Sequence, residues 1–191
     1  MYITKELQLY DTLGNRKYLN EGERKQFYKS SLTFKKEVRL FCLMFFWTGG
    51  RISEILNLKV THIDFYNQLV IIESLKRRKK GMFRQIPLPS YYLKELKIYV
   101  HDKSENDNVW GWSRSTGSRN IKKVMSLAKI VGIQACPKGL RHSFAIHCVT
   151  NNIPITLVQK WLGHKSISTT LIYLDIVGIE ERKLAERIWD K

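Results

Sequence analysis

The sequence predicts a mainly α-helical fold with a small antiparallel β-hairpin or sheet. Long stretches carry apolar residues at helical spacing, and one region near the middle of the chain changes to the pattern of strands. The 191 residues allow one domain with a small appendage, because domains cluster at about 100–150 residues. We therefore expect an N-terminal extension at 1–19 and one domain at 20–191.

The first half of that domain is predicted as helices followed by a hairpin. A capping-box pattern of Asn20 and Glu23 begins a short helix, and Gly49-Gly50 ends the next one. In chain order the predicted elements are a short helix from 20, a long helix over 38–47, a shorter helix over 53–58, and strands over 69–72 and 84–88. The very basic loop 76–81 joins the two strands.

The second half is predicted to be helical to its end. Gly163 ends one of these helices, which places His164 in a tight turn before the next helix. The predicted segments cover 90–100, 121–131, 140–148, 157–162, 167–174 and a final amphipathic helix at 178–190.

Charge and composition restrict the classes of function. The chain has 33 Lys and Arg against 17 Asp and Glu, a net charge of +16, which favours an anionic partner such as nucleic acid. The longest apolar run, 40–47, is far shorter than the roughly 20 residues of a membrane-spanning helix, and the first residues lack a secretory signal. We expect a cytoplasmic, nucleoid-associated protein with reduced thiols, since none of its 3 cysteines forms a C-x-x-C pair.

Four side chains have the chemistry of phosphoryl transfer. Arg51 follows a Gly-Gly break, Arg141 lies near the start of a helix, and His164 lies in a turn. Guanidinium groups form bidentate, charge-assisted bonds to phosphate oxygens, and an imidazole adds a further donor. Tyr173 can act as a nucleophile if the surrounding positive charge favours its phenolate. Each of these residues alone also has an ordinary structural explanation. A single tyrosine in a helix, for example, is usually half-buried and has no catalytic role.

Four segments in the expected order resemble the catalytic domain of tyrosine recombinases, the phage integrase family. They are TGGRISE at 48–54, GLRHSFA at 139–145, WLGH at 161–164 and STTLIY at 168–173. The resemblance covers about residues 20 to 190 and implies a site-specific recombinase or integrase. It implies that Tyr173 attacks a DNA phosphate to give a 3′-phosphotyrosine and release a 5′-hydroxyl, while Arg51, Arg141 and His164 bind and neutralise the phosphate.

Three further positions follow from this resemblance. Lys76, at the end of the first strand, matches the family's hairpin lysine, which would protonate the leaving 5′-oxygen, with Lys79 and Lys80 as competing candidates. Glu54 matches an acidic position that orients Arg51. Lys138 stands where the family usually has a histidine, and a protonated lysine cannot accept the proton of the tyrosine.

The basic loop is a predicted DNA contact, although charge runs are often only solvated. The residues predicted to contact the DNA backbone are Arg77, Arg78, Lys79, Lys80 and Arg84. His142 and His147 are five positions apart, which separates them on a helix, so a structural role is predicted for both.

The expected partner is double-stranded DNA, with no metal, cofactor or membrane. In the family the C-terminal helix docks on a neighbouring protomer, which implies a free monomer and a tetramer on DNA. Larger members carry a separate helical clamp domain, and this sequence is expected to be a fragment or a short stand-alone member. Two alternatives stay open: a catalytically silent DNA-binding protein, and an enzyme that relaxes DNA like a type IB topoisomerase.

Overall fold

The structure is a computed structural model that describes residues 8–74, 81–176 and 178–189. Over these residues it confirms the predicted fold class, because helices surround a small antiparallel sheet of order β1-β2-β3. The helices are α1 (Glu21–Ser31), α2 (Lys36–Thr48), α3 (Ile52–Leu56), α4 (Ser90–Tyr99), α5 (Arg114–Leu127), α6 (Pro137–Thr150), α7 (Ile155–Leu162), α8 (Ser168–Leu171) and α9 (Ile179–Trp189). The strands are β1 (Ile63–Asp64), β2 (Leu69–Glu73) and β3 (Phe83–Pro87), and short 3-10 turns cover Val60–His62 and Ile172–Leu174.

The sheet adds one short strand to the predicted hairpin. β1 pairs with β2, and β2 pairs with β3 in a register that places Val70 opposite Ile86 and Ile72 opposite Arg84. Because successive side chains of a strand point to opposite faces, β3 alternates between exposed and buried positions. Arg84 therefore lies on the same inward face as Ile86.

Helix α2 forms the centre of the larger hydrophobic core. Its side chains from 40 to 46 are all buried, as expected for a helix that is apolar around its whole circumference. The sheet, the connection between α4 and α5, and α5 itself supply surrounding apolar residues, including Ile86, Trp110 and Ile121. Among the described residues, no helix is both long and apolar enough to cross a membrane.

A second hydrophobic cluster packs α6 against α7 and the turn that carries Tyr173. It includes Phe144, Val158, Leu162 and Ile172. Two residues of the segment predicted as an extension, Leu9 and Tyr18, are buried in this cluster at 3% and 1% exposure. The described part of that segment thus packs against the helical domain.

The end of α2 approaches α6 more closely than a side chain would allow. Gly49 ends α2 in the left-handed region with φ of 59°, and a Cβ at this position would lie 2.4 Å from Cδ1 of Phe144. The Gly49 carbonyl consequently lies beside α6, where it accepts a hydrogen bond from Arg141.

Helix α9 contacts its own chain. Leu184 packs against the second cluster, Lys183 forms an ion pair with Glu21, and Arg187 donates to Asn152 and to the carbonyl of Thr150. Ile188 and Trp189 near the end of the helix remain exposed.

Candidate active site

A cleft of about 690 Å³ brings together the residues that the sequence predicts for phosphoryl transfer. It lies between the start of α3, the first turn of α5, the first turns of α6, and the segment from the His164 turn to Tyr173. The predicted site residues that line it are Arg51, Glu54, Lys138, Arg141, His164 and Tyr173. Residues far apart in sequence therefore share one concave surface.

Arg51 is oriented in this cleft by Glu54. Arg51 is the N-cap of α3, and Glu54 accepts hydrogen bonds from its backbone N–H at 2.9 Å and from its Nη1 at 2.8 Å. Glu54 is buried and also accepts from Nη2 of Arg84 at 2.6 Å. Burial acts to raise the pKa of Glu54, but the charge of Arg84 and the hydrogen bonds from Arg84 and Arg51 outweigh it and lower that pKa.

Arg141 is a buried cation on α6 that is bonded to neutral groups. Its Nη1 donates to the carbonyl of Gly49 and its Nη2 to the carbonyl of Leu162, both at 2.7 Å. Burial, and then the nearby charge of Arg51, lowers the pKa of its guanidinium. Among the described residues, no carboxylate forms an ion pair with Arg141. A buried cation without an ion-pair partner is unfavourable, so this end of the cleft electrostatically favours an anion.

His164 lies between Arg141 and Thr170. Its Nε2 is 3.1 Å from Nη2 of Arg141, and its Nδ1 is 2.9 Å from Oγ1 of Thr170. A guanidinium only donates, so Nε2 accepts from Arg141, and the neutral ring carries its proton on Nδ1 and donates it to Thr170. Burial, followed by the charges of Arg141 and Arg51, lowers the pKa of His164 to about 3.

Tyr173 borders the cleft from the 3-10 turn. Its ring stacks on that of His164 with centroids 6.3 Å apart, and its hydroxyl lies 3.0 Å from Nδ1 of His142. The side chain is 1% exposed. Burial raises the pKa of the phenol, while the charges of Arg141 and Arg51 act in the opposite direction. The hydroxyl is therefore protonated at neutral pH.

The remaining predicted residues divide into two groups. Lys138 is in the first turn of α6, is exposed and lines the cleft. Lys76, Arg77, Arg78, Lys79 and Lys80 lie outside the residues that the structure describes, so their proposed roles as general acid and DNA contacts stay predictions.

The structure buries Arg84, which the sequence predicts as a DNA contact, and the contact itself stays a prediction. Arg84 is 5% exposed, and its guanidinium donates to Glu54, to the carbonyl of Trp161 at 2.6 Å and to Oγ of Ser74 at 3.1 Å. It connects the base of the hairpin with α3 and with the end of α7, just before the His164 turn. The alternation along β3, with Arg84 two positions before the apolar Ile86, is the sequence signal that could have indicated its burial.

Sequence reasoning missed His142 as a site residue. The sequence predicts only a structural role for His142, whereas the structure places its ring against Tyr173, with the centroids 5.7 Å apart. Thr170 was likewise not singled out, although it is buried and bonds His164. No local pattern marks either contact, because both depend on how α6 packs against the segment from 164 to 173.

Comparison with solved structures shows what class of fold this is. The crystal structure of XerA recombinase matches 91% of this chain with a TM-score of 0.78 at 24% identity, and the chain covers 65% of it. The catalytic domain of bacteriophage HP1 integrase matches 88% of this chain with a TM-score of 0.65 at 18% identity, and 93% of that domain is covered. The fold is that of tyrosine recombinase catalytic domains.

Sequence comparison identifies the family. The phage integrase family model matches residues 17–177, and the chain belongs to this family. It is 35% identical over 160 residues to tyrosine recombinase XerA of Thermococcus onnurineus, which is 80% of this chain and 56% of the relative. It is 33% identical over 178 residues to XerA of Pyrococcus furiosus, 90% of this chain and 61% of the relative. The chain thus spans about three fifths of the length of these two relatives.

Proposed function

We propose that this chain breaks and rejoins DNA strands as a site-specific recombinase, through a covalent 3′-phosphotyrosine formed by Tyr173. The observation that carries the proposal is the single cleft that holds Arg51, Arg141, His164 and Tyr173 together. Membership of the phage integrase family supports the same reaction class. A solved structure with this fold, the Tn1549 transposon integrase in complex with transposon right end DNA, supports DNA as the partner.

The phosphate of the substrate would bind at the guanidinium groups of Arg141 and Arg51. Arg141 has its positive charge buried against backbone carbonyls, and Arg51 is partly exposed to the cleft, with 27% of its side chain accessible. Non-bridging oxygens gain negative charge in the transition state, and donors fixed in advance stabilise that charge without reorganisation. An arriving phosphate would also compete with His164 for Arg141 and favour a protonated His164, which can donate from Nε2.

The chemical step exchanges one phosphoester for another. The Tyr173 oxygen forms a bond to phosphorus and loses its proton, and the bond from phosphorus to the 5′-oxygen breaks with its electron pair on that oxygen. The leaving oxygen takes a proton from a general acid, for which Lys76 is the proposed residue. The phosphotyrosine conserves the bond energy, so a 5′-hydroxyl can later reverse the step and reseal the strand.

Assembly on DNA is part of the proposal. We expect a monomer in the absence of DNA and a tetramer on DNA, with α9 leaving its contacts on the same chain to dock on a neighbour. In sedimentation experiments a stable tetramer without DNA would contradict this expectation.

Covalent trapping tests the function. The protein would be mixed with nicked duplexes tiled across the genomic DNA that flanks its own gene, and denaturing gels would detect a protein–DNA adduct. We expect an adduct with the parent protein and with Tyr66→Phe, a control at a tyrosine that is 92% exposed, but none with Tyr173→Phe. An adduct that persists in Tyr173→Phe would refute the assignment of the nucleophile.

A silent DNA-binding protein is the second candidate function. The observation in its favour is Lys138, which replaces the family's histidine at the edge of the cleft. DNA binding without an adduct on any duplex would support this candidate. Relaxation of supercoiled DNA without recombinant products would instead indicate a topoisomerase-like enzyme.

A further inference from the structure

The hydroxyl of Tyr173 has one described hydrogen-bond partner, and it is His142. The distance from the hydroxyl oxygen to Nδ1 is 3.0 Å, and the two rings are tilted by 54°. His142 follows Arg141 on α6, so the helix that supplies the phosphate-binding guanidinium also supplies this partner of the tyrosine.

The burial of His142 has no evident structural benefit. The residue is 5% exposed, and within the described residues its Nε2 is a buried polar atom without a hydrogen-bond partner. An unsatisfied buried polar group is destabilising, so an apolar side chain at this position of α6 would be more favourable for folding. Within the described parts of the chain, the one hydrogen-bonding contact of this imidazole is to the proposed nucleophile.

The surroundings keep His142 neutral. Burial, and then the charges of Lys138 and Arg141 on α6 and of Lys17 in the N-terminal segment, lower its pKa to about 3. The other titratable groups packed near it are Tyr173 and the neutral His164, neither of which supplies a negative charge. His142 therefore presents a nitrogen lone pair to the tyrosine at neutral pH, with its own proton on Nε2.

Other groups of the cleft are poorly arranged to take the proton of Tyr173. The Nε2 of His164 accepts from Arg141, its Nδ1 bonds Thr170, and its ring lies nearly parallel to the phenol at 12°. Lys138 is exposed at the edge of the cleft, and a lysine ammonium group has no lone pair. Arg51 and Arg141 are cations that only donate.

From this geometry we infer that His142 is a catalytic residue, the acceptor of the proton that Tyr173 loses when it attacks the DNA phosphate. The inference rests on the proposed function. As the bond from the tyrosine oxygen to phosphorus forms, the O–H bond breaks and its proton moves to Nδ1 of His142. The bond from phosphorus to the 5′-oxygen breaks in the same step, and its electron pair leaves on that oxygen, which the general acid protonates. When the strand is resealed, His142 returns the proton to the tyrosine oxygen.

The bound phosphate would assist this transfer. The cations that disfavour a charged His142 include Lys138 and Arg141, which line the same cleft. A phosphodiester brings one negative charge into that cleft and offsets their effect, so it raises the affinity of His142 for a proton only when substrate is present.

The test compares variants of position 142 in single-turnover cleavage of a trapped nicked duplex. His142→Asn keeps a hydrogen-bonding atom near the position of Nδ1 but cannot take a proton, and His142→Gln is a second neutral variant. We expect about 10²- to 10⁴-fold slower cleavage at pH 7 for His142→Asn, with unchanged DNA affinity and thermal midpoint. We also expect its rate to rise about tenfold per pH unit, because hydroxide then replaces the missing base.

Incorporation of 3,5-difluorotyrosine at position 173 provides a readout that a structural role would not alter. Fluorination makes the phenol more acidic, so it should restore most of the cleavage rate in His142→Asn and change the parent rate much less. Matched substitution at the exposed Tyr66 should restore nothing.

Each outcome decides between the two proposals. If the parent protein forms no adduct, the proposed function fails and the inference fails with it. If the parent forms the adduct and His142→Asn cleaves within about threefold of the parent rate, only the role of His142 is refuted. A loss of rate that is independent of pH and not restored by fluorotyrosine would also refute it. In ¹⁵N spectra of the ligand-free protein we expect the His142 proton on Nε2, and a proton on Nδ1 would contradict the inference.

Discussion

Loss of the Glu54 carboxylate should strongly destabilise this fold. Glu54 accepts hydrogen bonds from Arg51 and Arg84, and in its ion pair with Arg84 the two side chains are 1% and 4% exposed. Removing one partner of such a pair leaves an uncompensated buried charge, which costs about 3–5 kcal/mol. For a chain of this size, Glu54→Gln should therefore lower the thermal midpoint by roughly 6–20 °C.

The dependence on pH has a definite sign. The pKa of Glu54 is lowered in the folded protein, so its contribution is present above its ordinary pKa of 4.5 and is lost as the pH falls through the folded value. The difference in free energy of unfolding between the parent and Glu54→Gln should consequently become smaller as the pH falls below 4.5. This is because the protonated carboxyl of the parent then resembles the neutral amide.

Urea unfolding followed by circular dichroism, combined with a double-mutant cycle, measures these effects. Arg84→Met alone should also be destabilising, but Glu54→Gln with Arg84→Met should cost clearly less than the sum of the single changes, since no buried charge is left unpaired. Glu105→Gln, at an exposed carboxylate, should change stability by less than about 0.5 kcal/mol. Additive single changes, or a cost of Glu54→Gln below about 1 kcal/mol, would refute the reasoning.

Three further predictions concern the cleft and the basic loop. Arg141→Ala should slow adduct formation by about 100-fold or more, whereas Arg119→Ala, an exposed charge on α5, should leave the cleavage step unchanged; cleavage at the parent rate by Arg141→Ala would contradict the site. Neutralising Arg77 and Arg78 should weaken DNA binding and reduce the dependence of the binding constant on salt concentration. If that dependence did not change, the loop would not be a DNA contact. The pKa values of about 3 for His142 and His164 imply that unfolding becomes easier as the pH falls below about 6.5, because the unfolded chain then binds protons that the folded protein does not. Histidine titration by NMR checks this, and ordinary pKa values for both residues would contradict it.

The helices and the hairpin could be predicted from local pattern because each is determined by neighbouring residues. The capping box at Asn20 and Glu23, the left-handed Gly49 and the left-handed Gly163 lie where the sequence indicates helix boundaries. The order of the four motifs was likewise sufficient to predict the family and the main residues of the cleft. The short strand β1 was missed because 2 residues carry too little pattern.

What tertiary structure decided is which of these residues meet, and in what environment. From the sequence, Arg84 is indistinguishable from the charged residues of the basic loop. The pleat of β3 nevertheless points its side chain inward, where Glu54 and the end of α7 accept its hydrogen bonds. From the sequence, His142 is predicted to be an ordinary helix residue. The packing of α6 against the 3-10 turn nevertheless places its Nδ1 within hydrogen-bonding distance of the hydroxyl of Tyr173. Local sequence sets backbone conformation through short-range forces, whereas burial, pKa and hydrogen-bond partners depend on segments that are distant in the chain, and only the packed fold brings these segments together.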